Sequence, residues 1–274
     1  MLNRLLRRLR LIAAKKYKGR HASLNPEDEF AGYPSLFREI TARYFMDRID
    51  YGTRVLDCGA GDGAVSLPLA AELGCRVDAI DMRPARIETI ERIRGDLPVR
   101  GIVGDLMTAD LEPGAYDYVI SRQFLPHFPG RWKEVLLRKR EVCRPGGSLI
   151  FQMHSADHFR IMRSLTADQE RLADLDKGYP RNGMMSKEDL YGFASENGLE
   201  VLETTPILFF MPSSALMKSG HDRARQDAFS AELDTWLTHP DVCAFVRWYE
   251  TEIIGRLPLG AACSFMAVLR RKPG

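Results

Sequence analysis

Two sets of residues in this chain have the types and spacing to do chemistry. The first is Thr53 to Ala64, TRVLDCGAGDGA. Thr53 to Cys58 reads as a short strand buried on both faces, with Asp57 near its end. Gly59, Ala60, Gly61, Asp62 and Gly63 then form a turn whose glycines tolerate positive φ and let backbone N–H groups come against a ligand. Val65, Leu67, Leu69 and Ala70 continue as a helix. Strand, glycine turn and helix N-terminus together make the place where α/β sheets bind nucleotide-like ligands. The second set is three histidines: His127 within Ser121 to Pro129, and His154 and His158 in the run His154-Ser155-Ala156-Asp157-His158. Histidine as a residue type can accept a proton near neutrality, so each is a candidate base. His154, Asp157 and His158 are also candidate ligands for a divalent metal that would orient a diol, or members of an ordinary hydrogen-bonded loop.

The glycine turn fits two ligands. Gly59, Gly61 and Ala64 satisfy the dinucleotide fingerprint, and Asp81 lies about 20 residues further on. Asp57 and Asp62, however, would set two carboxylates around a diphosphate, which repels it. They suit instead a ligand with an ammonium group and no phosphate, as in S-adenosylmethionine. An NAD(P)-dependent oxidoreductase is the alternative, and a cofactor-binding protein without catalysis is a third reading.

Asp57-Cys58-Gly59-Ala60-Gly61-Asp62-Gly63 resembles the D/E-x-G-x-G-x-G first motif of class I S-adenosylmethionine-dependent methyltransferases. Further landmarks follow in order over roughly residues 50 to 155: Asp81 after the run Val77 to Ile80, Gly104-Asp105-Leu106, Tyr116 to Ser121, and Arg144-Pro145-Gly146-Gly147. The resemblance implies an α/β fold with a doubly wound, mostly parallel seven-stranded sheet of order 3-2-1-4-5-7-6 and helical insertions. It implies a cofactor site of Asp57, Gly59, Ala60, Gly61, Asp62 and Gly63 at the turn. Asp81 with Met82 would hold the ribose, Asp105 with Leu106 the adenine, and Ser121 with Arg122 the end of strand four. Chemistry is expected where strands four and five end. His154 is the first choice of base, because a long connection follows it, and His127 the second. A His at that second position is frequent in the family among members with different substrates, which equally suits a cofactor-side role. Methyl transfer by S-adenosylmethionine is expected, to a small molecule or glycan and at oxygen; a divalent metal is an optional addition.

These groups need a scaffold. The chain has 274 residues, of which 45% are hydrophobic and 28% charged, enough for one sizeable α/β domain. Residues 1–50 read as a basic amphipathic helix and lead-in helices, and 51–274 as one domain with insertions at about 155–185 and 212–258. Leu36, Ile40, Tyr44, Phe45 and Ile49 mark an apolar helix face before the first strand. Tyr33 and Tyr44 there are candidates for ligand contact, or for plain packing. Pro84 to Arg94 and Arg131 to Cys143 read as crossover helices, the second stopped by Arg144-Pro145-Gly146-Gly147, and Ser148 to Met153 as strand five. No strand is expected from Ser155 to Gly183. Ser186 should cap a helix ending at Asn197 and Gly198. Val201 to Phe210 and Ala261 to Leu269 are the last strands, with helices expected at Asp222 to Leu237 and Val242 to Ile254 between them.

The net charge is +2, yet eight basic residues from Arg4 to Arg20 precede the first acid, Glu27, so the rest of the chain is acidic. That argues against a broad nucleic-acid groove. Leu2, Leu5, Leu6, Leu9 and Ile12 recur at helical spacing opposite the arginines. Residues 1–20 could therefore touch an anionic membrane, pack on the domain or serve as a presequence. Five scattered cysteines suggest neither a disulfide framework nor a zinc site, and with no apolar run of about 18 residues the expected location is cytoplasmic, with peripheral membrane contact as a variant.

Overall fold

The computed structural model describes residues 35–128, 130–165, 183–207, 235–236 and 239–273. The basic tail, Tyr33, nearly all of the Asp222 to Leu237 helix and residues 166–182 of the first insertion lie outside these residues. Helix α1 (Ser35–Met46) leads into β1 (Arg54–Cys58), α2 (Ser66–Leu73), β2 (Arg76–Asp81), α3 (Pro84–Ile93), β3 (Val99–Val103) and β4 (Tyr116–Ser121). A short 3₁₀ turn, Leu125–His127, precedes α4 (Trp132–Val142) and β5 (Cys143–Ser155). After α5 (Ala156–Leu165) come β6 (Met184–Met185), α6 (Lys187–Glu196), β7 (Leu199–Ile207), α7 (Pro240–Trp248) and β8 (Ser264–Arg271).

The sheet order is β3-β2-β1-β4-β5-β8-β7, with β6 beside β5. The first five strands are parallel, and β8 runs antiparallel to both β5 and β7. This is the expected 3-2-1-4-5-7-6 arrangement plus one two-residue strand. That strand, Met184 and Met185, follows directly on the Ser155 to Gly183 segment in which none was expected; it is too short a run to show periodicity, and it pairs with His154 and Ser155. Leu36, Ile40 and Phe45 of α1, Leu67 and Leu69 of α2, Ile87 and Ile90 of α3 and Val246 of α7 cover one face. Val135 and Leu136 of α4 and Leu190 and Phe193 of α6 cover the other. A central parallel sheet must be apolar on both sides, which is why β1 shows no alternation: Val55 and Leu56 are both fully buried.

Two local corrections concern helix and strand ends. Arg144 to Gly147 do not form a free turn but a bulge inside β5, where the pairing with β4 jumps from Tyr116–Cys143 to Tyr118–Ser148. Gly147 is needed there, because a Cβ would sit 2.6 Å from the Asp117 carbonyl oxygen. The Val242 to Ile254 helix is found as α7, extended by a π turn at Tyr249–Ile253 and a 3₁₀ turn at Ile254–Arg256. By contrast α6 starts as read: Ser186 Oγ accepts from the Asp189 N–H at 3.0 Å, and the Asp189 carboxylate accepts from the Ser186 N–H at 3.1 Å.

Tyr44 is turned toward β7. Its hydroxyl lies 3.1 Å from both Glu203 Oε1 and Thr205 Oγ1, Thr205 donates to the same Glu203 oxygen at 2.7 Å, and the Arg48 guanidinium covers the Tyr44 ring while also binding Glu203. This side-chain set ties α1 to β7 across the buried sheet face. Among the described residues no helix is long and apolar enough to cross a membrane.

Candidate active site

The glycine turn forms as its letters require. Gly59, Gly61 and Gly63 all have positive φ, at 70°, 56° and 84°. The Gly59 and Ala60 N–H groups donate to the Ile80 carbonyl at the end of β2, at 2.8 and 3.1 Å. Asp81, the last residue of β2, accepts from the Gly61 N–H at 3.0 Å through one oxygen and from the Arg83 N–H at 2.9 Å through the other. A single carboxylate therefore fixes the tip of the turn against the start of α3. Gly59 has a second constraint: an added Cβ would lie 2.4 Å from Cδ2 of Phe124, which follows β4.

A cavity of about 510 Å³ opens over this turn, within the usual range for cofactor sites. Its walls include Asp57, Gly59, Ala60, Gly61 and Asp62 of the turn, Asp81 and Met82 after β2, and Arg122 and His127 after β4. Of the residues expected at the cofactor, Asp105, Leu106 and Ser121 do not line it. Asp105 caps its own turn, its carboxylate accepting from the Met107 N–H at 3.0 Å. Leu106 is 2% exposed and belongs to the core. Ser121 points to the opposite sheet face, where it accepts from Nζ of the fully buried Lys139 at 2.7 Å. Gly63 supports the turn from below, against Leu67 and Ile90, rather than facing the cavity.

The cavity has residues that the spacing did not reveal. Phe124 and Phe128 pack with ring centroids 4.8 Å apart and wall its outer side, and Gln123 between them and β4 holds φ at 49°, a conformation that non-glycine residues seldom adopt. The pattern Phe124-Leu125-Pro126-His127-Phe128, two aromatics flanking a histidine directly after a central strand, was the available signal. Arg38 of α1 ion-pairs with Asp62, so one of the two carboxylates that the sequence set against a diphosphate is already neutralised. Arg83, Arg86 and Arg122 also line the cavity, so charge alone discriminates between ligands less than the sequence suggested.

Asp57 is 2% exposed, and burial pushes its carboxyl up to about 6 despite the hydrogen bond donated by Ser66 Oγ at 2.7 Å. His154 is the penultimate residue of β5; its Nδ1 lies 3.2 Å from Ser264 Oγ on β8, and burial, with a smaller contribution from His127, pushes its pKa down to about 4. It is thus uncharged at neutral pH and a weak base. These two groups act on stability in opposite senses over one window. The folded chain holds Asp57's proton up to about pH 6, so ionising it costs stability as pH rises from about 4 to 6. Folding excludes a proton from His154 until about pH 4, so its contribution improves as pH rises from about 4 to 6.5. Each amounts to roughly 3 kcal/mol at ordinary conversion. Wild-type stability should therefore change little between pH 4 and 6.5 from these groups. Asp57→Asn should gain a positive slope with pH, and His154→Phe a negative one, measured by urea denaturation. Parallel slopes in all three proteins would show that neither group is held as described.

The run after β5 is not a loop. Asp157 and His158 sit on the first turn of α5, and their side chains turn to different partners. Asp157 accepts from the Lys187 N–H at 2.8 Å and pairs with Arg160; His158 Nδ1 lies 2.9 Å from the Gly260 carbonyl. With His154 on Ser264, the three proposed metal ligands do not converge. Among the described residues no group of three or more His, Cys, Asp or Glu is placed to hold a metal ion.

Comparison with known proteins places this geometry in a family context. A family described as "Methyltransferase domain" matches residues 30–204. The chain is 33% identical over 108 residues to 2-methyl-6-phytyl-1,4-hydroquinone methyltransferase of Synechocystis sp., a match covering 38% of this chain and 33% of that protein. It is 28% identical over 156 residues to 27-O-demethylrifamycin SV methyltransferase of Amycolatopsis mediterranei, covering 54% of each. The matches thus span from about a third to about half of these relatives' lengths. In structure it resembles Haemonchus contortus phosphoethanolamine N-methyltransferase 2, solved with S-adenosyl-L-methionine, at a TM-score of 0.57 and 17% identity over 91% of this chain and 58% of that one.

Proposed function

The chain belongs to the methyltransferase-domain family of class I fold, and from that premise we propose that it moves the methyl group of S-adenosylmethionine to an oxygen of a small-molecule acceptor. The observation that carries the reading is the cavity over the glycine turn, with the Asp81 carboxylate at its rim between the turn and α3. A carboxylate in that place suits a ribose diol, and the close backbone of Gly59 to Gly61 leaves room for the amino-acid end of the ligand. The bound cofactor would supply an electrophilic sulfonium methyl. The chain's own contribution is alignment, exclusion of water and removal of a proton from the attacking hydroxyl. His127 lines the cavity and is the better placed proton acceptor, whereas His154 is buried and weakly basic. The relatives named above act on a hydroquinone and on an O-demethyl compound, which supports a small oxygen-bearing acceptor.

The ligand test is direct. Titration calorimetry should show binding of S-adenosylhomocysteine and none of NAD. Asp81→Ala should weaken the former by tenfold or more, the usual size for a lost hydrogen bond to a charged group. Binding of NAD in place of the homocysteine product would overturn the reading in favour of hydride transfer.

A further inference from the structure

Gln152 lies on β5, 1% exposed, and among the described residues neither its Oε1 nor its Nε2 has a hydrogen-bond partner. Four other buried polar side chains on these strands are paired. Asp57 has Ser66, Ser121 has Lys139, His154 has Ser264, and Ser155 Oγ donates to the Leu259 carbonyl and accepts from the His158 N–H. A carboxamide stripped of water on both sides is uncommon in folded chains and asks what it serves.

Strand register gives its address. Asp57 stands opposite Ile120, and Ile120 opposite Ile150, so Gln152, two residues on, shares the sheet face of all three. Across the other edge it faces Met266 of β8. Phe151 is opposite Ser121, so Gln152 is level with the exit of β4, where Arg122 and Gln123 enter the cavity wall. Two residues further on the same face stands His154, paired with Ser264 of β8. Gln152 does not itself line the cavity; it lies buried behind the wall at Arg122 and Gln123, so an acceptor reaching it would come along β5 from that side.

The surroundings define what could be recognised. Ile120, Ile150 and Met266 are apolar and fully buried. The amide offers donors and an acceptor but no charge. An ionised carboxylate, phosphate or ammonium brought there would be desolvated without a counter-ion on the amide, whereas a hydroxyl, which both donates and accepts, matches it. We infer that Gln152 recognises the methyl acceptor, holding an uncharged hydroxyl carried on an apolar ring through its Oε1 and Nε2. This rests on the methyltransferase reading above and adds the acceptor class and the residue that selects it.

Thermal denaturation of the full chain tests it with phenol as the uncharged probe and benzoate as the charged one. Without ligand, Gln152→Leu, or the more nearly isosteric Gln152→Met, should melt about 2–4 °C above wild type, because an unsatisfied buried amide has been removed. Both variants should bind S-adenosylhomocysteine as wild type does. With that product bound, millimolar phenol should raise the wild-type melting temperature by about 2–4 °C and leave the variants unmoved, while benzoate protects neither. Variants that melt below wild type would show the amide satisfied inside the folded chain, by ordered water or by protein, and overturn the inference. Equal protection of wild type and variants by phenol, or no protection of either, would overturn it as well. A wild-type chain that binds no S-adenosylhomocysteine removes the premise instead, and calorimetry reveals that separately.

Discussion

Gly59→Val should abolish cofactor binding, lowering affinity for S-adenosylhomocysteine by 100-fold or more. Two costs combine at this position. Gly59 has φ of 70°, and a branched side chain strongly resists the left-handed region. Its Cβ would also enter the Phe124 ring, 2.4 Å from Cδ2, and Phe124 forms the cavity wall. Relief of either cost moves the turn or the ring, and both border the ligand. A 100-fold loss corresponds to about 3 kcal/mol, which strain and clash together can supply. The two are separable. Gly59→Ala should bind less well than wild type but better than Gly59→Val, and Phe124→Leu added to Gly59→Ala should recover part of the loss, since the flexible aliphatic chain can yield where the ring cannot. Binding by Gly59→Val within threefold of wild type would mean that the ligand does not use this turn.

Much of this site could be read from the letters because its logic is local. Gly59, Gly61 and Gly63 declare positive φ within five residues, and Asp81 follows at the distance one helix and one strand require. Ser186 and Asp189 likewise declare a helix start by themselves. What could not be read depends on contacts distant in sequence. Arg38 reaches Asp62 from α1, and nothing in either neighbourhood predicts that pairing. Tyr44 sits on an apolar helix face as expected, but its hydroxyl is taken by Glu203 and Thr205 on β7, more than 150 residues later. Asp105 and Leu106 matched a family landmark by position, yet the turn they form keeps the carboxylate on its own backbone. The metal-like spacing of His154, Asp157 and His158 assumed one loop; a strand end followed by a helix start sends the three side chains apart. His154 shows the general case. Its neighbours in sequence suggest an accessible base, and only the antiparallel return of β8, which brings Ser264 beside it, makes it buried and weakly basic.

His127→Ala should lower turnover by about 10²-fold or more, the usual contribution of a positioned general base. Affinity for S-adenosylhomocysteine should change by less than threefold, because removal of an imidazole from the wall leaves the turn and Asp81 intact. The geometry that favours His127 is its place on the 3₁₀ turn after β4, held by the Phe124 and Leu125 carbonyls that accept from the His127 and Phe128 N–H groups at 3.1 and 3.0 Å. That turn keeps the imidazole on the cavity wall beside Phe128. His154→Ala gives the contrast. A buried group whose pKa is pushed down to about 4 takes a proton poorly at neutral pH, so its removal should cost less than tenfold in turnover and act mainly through packing against Ser264. Chemical rescue separates a base from a packing residue: added imidazole should restore part of the turnover of His127→Ala and none of that of His154→Ala. Chelation adds an independent arm, since a turnover lost to EDTA and restored by Mg²⁺ would transfer proton removal to a metal-activated hydroxyl and make His127 dispensable. Equal losses in the two histidine variants, with rescue by imidazole in neither, would remove imidazole bases from the reaction and leave alignment within the cavity as the source of the rate.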